Sequence, residues 1–171
     1  KRELEPMLQL LDKLEEVVGI KAPRKHGFST VDAIQAMYKR QAKVFFALGG
    51  NFISATPDTE ITAHALRNCN LTVHVSTKLN RSHLVHGKQA LILPCLGRTD
   101  TDAQESGEQF VSTENSMGVV QMSKGILSPC SGVLLSEPAI VAKLAKATLG
   151  SKSKVDWDLM ISNYDHIRDL I

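Results

Sequence analysis

Ala42-Lys43-Val44-Phe45-Phe46-Ala47-Leu48-Gly49-Gly50-Asn51 is the stretch from which the rest of the chain can be read. Ala42–Leu48 is apolar except for Lys43 and has the length of a strand rather than of a buried helix. Apolar side chains on both faces predict a central strand covered by helices on either side. The run ends directly in two glycines and an asparagine, a composition suited to a tight turn from strand to helix.

Downstream, Pro57-Asp58 opens a predicted helix to about Asn68, with Ile61, Ala65 and Leu66 facing inward. A second strand, Leu71–Val75, leads into Ser76-Thr77, then a polar turn and short helix over Lys78–His86. A third strand at Ala90–Leu93 is closed by Pro94. Gly97–Gly107 reads as loop, and Phe110–Met122 as one or two short strands. Pro129 and Pro138 bracket an irregular stretch. Ser136-Glu137-Pro138 caps a helix over Ala139–Leu149 that stops at Gly150, and a last helix covers roughly Asp156–Leu170.

Upstream, Ser29 with Asp32 three residues later is a capping-box start for Val31–Tyr38. Leu4, Met7, Leu8, Leu11 and Leu14 recur at helical spacing before Gly19. Strands alternating with helices predict an α/β fold: a doubly wound, mainly parallel sheet with helices on both faces, Rossmann-like. The chain reads as a single domain over 1–171, with a helical lead-in at 1–28 and a C-terminal helix within 151–171.

Composition narrows the function classes. The 171 residues are 43% hydrophobic and 22% charged, which excludes a disordered or collagen-like chain. A net charge of +2 lacks the basic footprint of a nucleic-acid binder. No apolar run approaches the ~18 residues of a membrane span, and Lys1–Leu14 is not a secretory signal. Cys69, Cys95 and Cys130 have no C-x-x-C spacing, so no metal site or disulfide framework is expected, and reduced thiols suit a cytoplasmic protein. His83 and His86 stand three apart without a matching third ligand. No G-x-S-x-G elbow or Cys/His pair supplies a nucleophile, so no catalytic residue is assigned. A start at Lys1 and a last helix running to Ile171 suggest a piece of something larger.

In a doubly wound sheet, ligands bind beyond the carboxyl ends of the strands, which selects Gly49–Ala55, Ser76–Ser82 and Pro94–Asp102. Gly49, Gly50 and Asn51 bring backbone N–H groups and a side-chain amide to a phosphate. Lys78 and Arg81 suit a pyrophosphate, while Ser76, Thr77 and Asn80 suit a ribose or base edge. Pro94 and Gly97 frame a loop in which Arg98 is free for an anion. Singly, the first loop reads better as a tight turn, the second as a solvated cap, and the third is weak. Together they favour a nucleotide or other phosphorylated ligand. An ordinary NAD site is not expected: G-x-G-x-x-G is absent, and Ser76 stands where an acidic ribose partner belongs.

Phe45-Phe46-Ala47-Leu48-Gly49-Gly50-Asn51, Pro57-Asp58-Thr59, Leu71–Val85, Leu93–Thr99, Ser136–Ala142, Val155-Asp156-Trp157 and Tyr164–Arg168 together resemble the molybdopterin oxidoreductase family. That family includes formate dehydrogenases, nitrate reductases and dimethyl sulfoxide reductases. The closer resemblance is to a formate-dehydrogenase-like alpha (molybdopterin) subunit branch that includes an acid-resistance-associated bacterial protein. It extends from about Thr30 to Ile171. The resemblance implies an interior cofactor-binding domain of a longer subunit, which holds molybdenum or tungsten between two molybdopterin guanine dinucleotides. It implies that Gly49, Gly50 and Asn51 match the family's Gly-x-Asn loop, and that Pro94, Gly97, Arg98 and Thr99 match the next one. Ser76 falls where many members carry an Asp that contacts guanosine, a departure that passes this contact to Thr77, Asn80 or Arg81. Thr113, Glu114 and Asn115 fall near the family's Thr-Asn-x-Glu segment. The implied partners are the remaining domains of the subunit and a small-molecule redox substrate. A non-catalytic nucleotide- or sugar-phosphate-binding module is the alternative.

Overall fold

A computed structural model describes residues 4–21 and 23–170, and the side chains from Leu8 onward within that range. The expectations about Lys1, about the side chains of Leu4 and Met7, and about Ile171 lie outside it. The elements in chain order are α1 (Leu4–Val18), α2 (Thr30–Tyr38), β1 (Val44–Leu48), α3 (Phe52–Ala55), α4 (Thr59–Arg67), β2 (Leu71–Ser76), β3 (Gln89–Pro94), β4 (Ala103–Gln104), β5 (Gly107–Glu108), β6 (Val111–Glu114), β7 (Val120–Ser123), α5 (Glu137–Leu149), α6 (Trp157–Ser162) and α7 (Asp165–Arg168). They form a mixed α/β fold whose parallel three-stranded sheet is flanked by helices. The chain divides into two compact units: residues 27–96, and residues 1–26 with 97–171.

The sheet belongs to the unit 27–96. Both strand pairs are parallel, in register Phe46↔Val73↔Leu91 and Leu48↔Val75↔Leu93. Parallel strands require crossovers, and α3 with α4 supplies the first. The capping chemistry is local. Ser29 Oγ accepts from Asp32 N at 3.2 Å to start α2, and Asp58 Oδ1 accepts from Ile61 N at 2.9 Å to start α4. Asp32 completes its side of the α2 cap by accepting from the Ser29 hydroxyl at 2.7 Å, not from the Ser29 backbone. Ile34 and Met37 of α2, Ile53 of α3, and Ala65 and Leu66 of α4 bury together with Cys69, and Phe45 of β1 packs against them. Asn68 Nδ2 donates to Tyr38 O at 2.9 Å, tying the end of α4 to the end of α2.

Two expectations change in this unit. The strand expected to be central, β1, stands at an edge in the order β1-β2-β3, and the interior strand is β2. Burial follows that order: Thr72–Val75 are all buried, whereas β1 alternates, with Val44, Phe46 and Leu48 exposed. The turn of α3 intervenes before the expected helix. The short helix expected in the polar segment after β2 is present, as a single 3-10 turn at Arg81–Leu84.

The other unit carries α1, the two-stranded β4–β5 and β6–β7 ladders, and α5–α7. Gly19, at φ +76, ends α1 as expected, and Val18 O accepts from Lys154 N at 2.9 Å. Ser136 caps α5. The expected last helix is two short ones. Asn163 takes extended backbone, and its Oδ1 accepts from Asp165 N at 2.9 Å, which starts α7 afresh. The break lets Tyr164 turn inward. Its N donates to Gln109 Oε1 at 2.9 Å, and its hydroxyl lies 2.5 Å from Asp102 Oδ2 and 2.6 Å from Ser136 Oγ. Burial and the Asp102 carboxylate push the Tyr164 phenol well above its ordinary range.

Candidate functional site

The loops after β1 and β2 meet at the carboxyl end of the sheet. Gly49 and Gly50 both take left-handed backbone, φ +69 and +74, a conformation costly for residues with a Cβ. Gly49 N still donates to Val75 O at 2.8 Å, so the chain leaves the ladder only at Gly50. Among the described residues, the N–H groups of Gly50 and Asn51 donate to no backbone carbonyl. Free N–H groups at such a turn are anion donors.

Asn80 fastens the second loop to the first. Its Nδ2 donates to Gly50 O at 2.8 Å, and its Oδ1 accepts from Ser82 N at 2.9 Å. Asn80 N donates to His83 Nδ1 at 3.0 Å, completing a capping box on the 3-10 turn. Buried Ser82 is a second tie. Its hydroxyl donates to Asn51 Oδ1 at 3.0 Å and accepts from Ile53 N at 3.0 Å. Ser76 Oγ donates to Lys78 O at 2.7 Å, a local turn that closes the β2 end.

Beneath these ties His74 of β2 and His83 lie with ring centroids 4.8 Å apart, and Phe45 meets the His74 ring edge-on at 5.8 Å. Both imidazoles carry a buried Nε2 with no hydrogen-bond partner among the described residues. Burial, and then His83, lower the pKa of His74 below the ordinary imidazole range, so its ring is neutral at neutral pH.

The residues selected from the sequence therefore divide. Gly49, Gly50, Asn51, Ser76 and Asn80 build the paired loops. Thr77, Lys78 and Arg81 are exposed there, and among the described residues their side chains have no partner. Pro94 closes β3 opposite Ser76 and so shares that sheet end. Gly97, Arg98 and Thr99 belong to the other unit. There Gly97 N donates to Asp100 Oδ2 at 2.7 Å, and Thr99 O accepts from Ile126 N and Leu127 N. Thr113 and Glu114 lie on β6, and Asn115 forms the following turn, where its Oδ1 accepts from Met117 N at 2.9 Å.

The positioning roles of Ser82 and His83, and His74 altogether, are missed by sequence reasoning. Asn80 followed two residues later by a serine, and three later by a residue able to return the cap, is the local signal for the first two. His74 carries no local signal, because its role depends on a ring nine positions away. Among the described residues, no group of His, Cys, Asp and Glu is arranged to hold a metal. Cys69 and Cys95 are buried and Cys130 is exposed, and no disulfide joins any two of them. No helix among the described residues is long and apolar enough to cross a membrane.

No family model matches the chain. The chain is similar to the uncharacterized oxidoreductase Rv2900c of Mycobacterium tuberculosis, with 53% identity over 163 residues, covering 95% of this chain and 21% of that protein. The uncharacterized oxidoreductase Mb2924c of Mycobacterium bovis matches to the same extent. Protein YdeP of Escherichia coli K12 is 41% identical over 164 residues, covering 96% of this chain and 22% of that protein. The chain thus spans about a fifth of the length of the curated relatives it matches.

Proposed function

We propose that this chain is the nucleotide-binding part of a cytoplasmic molybdopterin-dependent oxidoreductase of the formate-dehydrogenase-like kind. The carrying observation is the pair of loops locked by Asn80 and Ser82, with Lys78 and Arg81 free on either side of Asn80. Two unpaired cations beside free backbone N–H groups are a donor set suited to the pyrophosphate of a guanine dinucleotide. The names of two relatives, both oxidoreductases about five times as long, support the parent enzyme and its further domains.

When bound, the molybdenum cofactor supplies the redox chemistry, and the protein supplies binding and orientation. Gly49, Gly50 and Asn51 admit the phosphates close to the backbone. Lys78 and Arg81 neutralise them, and Ser76 and Thr77 face the ribose or base. Asn80 is a positioning residue, because both ends of its amide are spent on the loops. No acid, base or nucleophile of this chain takes part.

The test is the full-length polypeptide purified and assayed for molybdenum and for guanine nucleotide released by acid. Both are expected, in stoichiometric amounts, and K78A and R81A should lower both without unfolding the protein. Folded, active protein free of metal and nucleotide overturns the reading. Nucleotide without molybdenum assigns the chain to a non-catalytic nucleotide-binding module.

A further inference from the structure

We infer that the outer edge of β1 is an interface, covered by an apolar β-strand from polypeptide outside residues 1–171. The alternation of the strand identifies the groups concerned. Lys43 O accepts from Asn70 N at 2.7 Å, and Gly49 N donates to Val75 O at 2.8 Å, so odd-numbered residues here direct their backbone toward β2. The N–H and C=O groups of Val44, Phe46 and Leu48 therefore point away from it. Among the described residues no strand pairs with them. The same residues leave their side chains open, at 59%, 40% and 47% exposure.

An edge of this kind is abnormal in a finished protein. Edge strands are protected by charge, proline, bulges or brevity, and all-parallel sheets are covered on both faces. Val44–Leu48 contains no charge, proline or glycine. The opposite edge, β3, ends in Pro94 and begins at Gln89, so the two edges are not equivalent. Val-Phe-Phe-Ala-Leu is interior-strand composition, consistent with its reading from sequence as a central strand.

The occupant follows from the relatives, in which the matched region is 21% or 22% of the length. A strand supplied by the same polypeptide competes at high effective concentration and has no intermolecular association to make. A second copy placed by a two-fold axis would run antiparallel to β1 and turn the sheet mixed. This inference rests on the chain being part of a longer polypeptide and not on its cofactor.

Residue-resolved hydrogen–deuterium exchange on the full-length polypeptide, at two protein concentrations, decides it. The amides of Val44, Phe46 and Leu48 should exchange as slowly as those of Val73 and Val75, on the order of 100-fold or more below unprotected rates, at both concentrations. Fast exchange at these positions, with Phe45 and Ala47 protected, overturns the inference. So does protection that appears only with a concentration-dependent dimer, which would assign the edge to a second copy. Molybdenum content of the same sample reports separately on the proposed function.

Discussion

Asn80 Nδ2 donates to the carbonyl oxygen of Gly50 at 2.8 Å across a gap of thirty residues in sequence, and this bond makes one surface of two loops. The same amide oxygen caps the 3-10 turn by accepting from Ser82 N at 2.9 Å. The two functions separate by substitution. N80A loses both and should destabilise the protein by about 1–2 kcal/mol. N80D keeps the acceptor and loses the donor, so it should cost less while still speeding amide exchange at residues 49–51. Denaturant titration and exchange on both variants check this. Equal exchange in N80D and wild type would show that the cross-link does not hold the loop.

His74 makes stability depend on pH. Its pKa in the folded protein lies below the ordinary 6.5, chiefly through burial, and the unfolded chain therefore binds the proton more readily. Stability from this group is fully present above about 6.5 and falls as pH drops toward the folded pKa, with a slope of at most about 1.4 kcal/mol per pH unit. H74F should flatten the denaturation midpoint across that window. An unchanged profile would place the acid sensitivity elsewhere.

Two glycines should respond to alanine for different reasons. At Gly50, φ is +74 and an added Cβ meets nothing within 4 Å, so G50A costs only the backbone conformation, about 1 kcal/mol. G50N should recover part of that. At Gly87 an added Cβ would strike the Cys69 carbonyl oxygen, a backbone atom that cannot rotate away. G87A should cost about 2–3 kcal/mol, and G87N should be no better. Denaturation midpoints of the four variants distinguish the two cases.

Tyr164 is 3% exposed, with its hydroxyl between Asp102 and the α5 cap Ser136. Y164F keeps the ring and leaves three polar groups, on Asp102, Ser136 and Gln104, without this partner, so it should destabilise by about 2 kcal/mol. S136A alone should cost about 1 kcal/mol through the cap. A double-mutant cycle should give a coupling above 0.5 kcal/mol, on the usual scale for groups in one network. Strict additivity would show that the Ser136–Tyr164 contact contributes nothing.

What could be read from the chain was mostly local. The starts of α2, α4 and α5 follow from Ser29, Asp58 and Ser136, because a cap is satisfied by a backbone N–H three residues away. Gly19 and Gly150 mark helix ends by the backbone freedom they provide. Ser76–Ser82 is recognisable as donor-rich, but which donors are free is not. Asn80 and Lys78 look alike in that respect until Gly50 is found to accept from Asn80, leaving Lys78 exposed.

The sequence by itself determined the strand–helix alternation, the caps, and the conjunction of Gly49-Gly50-Asn51 with a cationic loop two elements later. These depend on contacts within a few residues and on the period of the apolar pattern. Only the tertiary structure decided that β1 stands at an edge, that β2 is the interior strand, and that His74 lies against His83 beneath the cross-linked loops. Strand order and ring pairing are long-range relations, fixed by register and packing between segments that do not adjoin in sequence. Apolar composition tells how deeply a strand is meant to be buried. It does not tell which strands bury it.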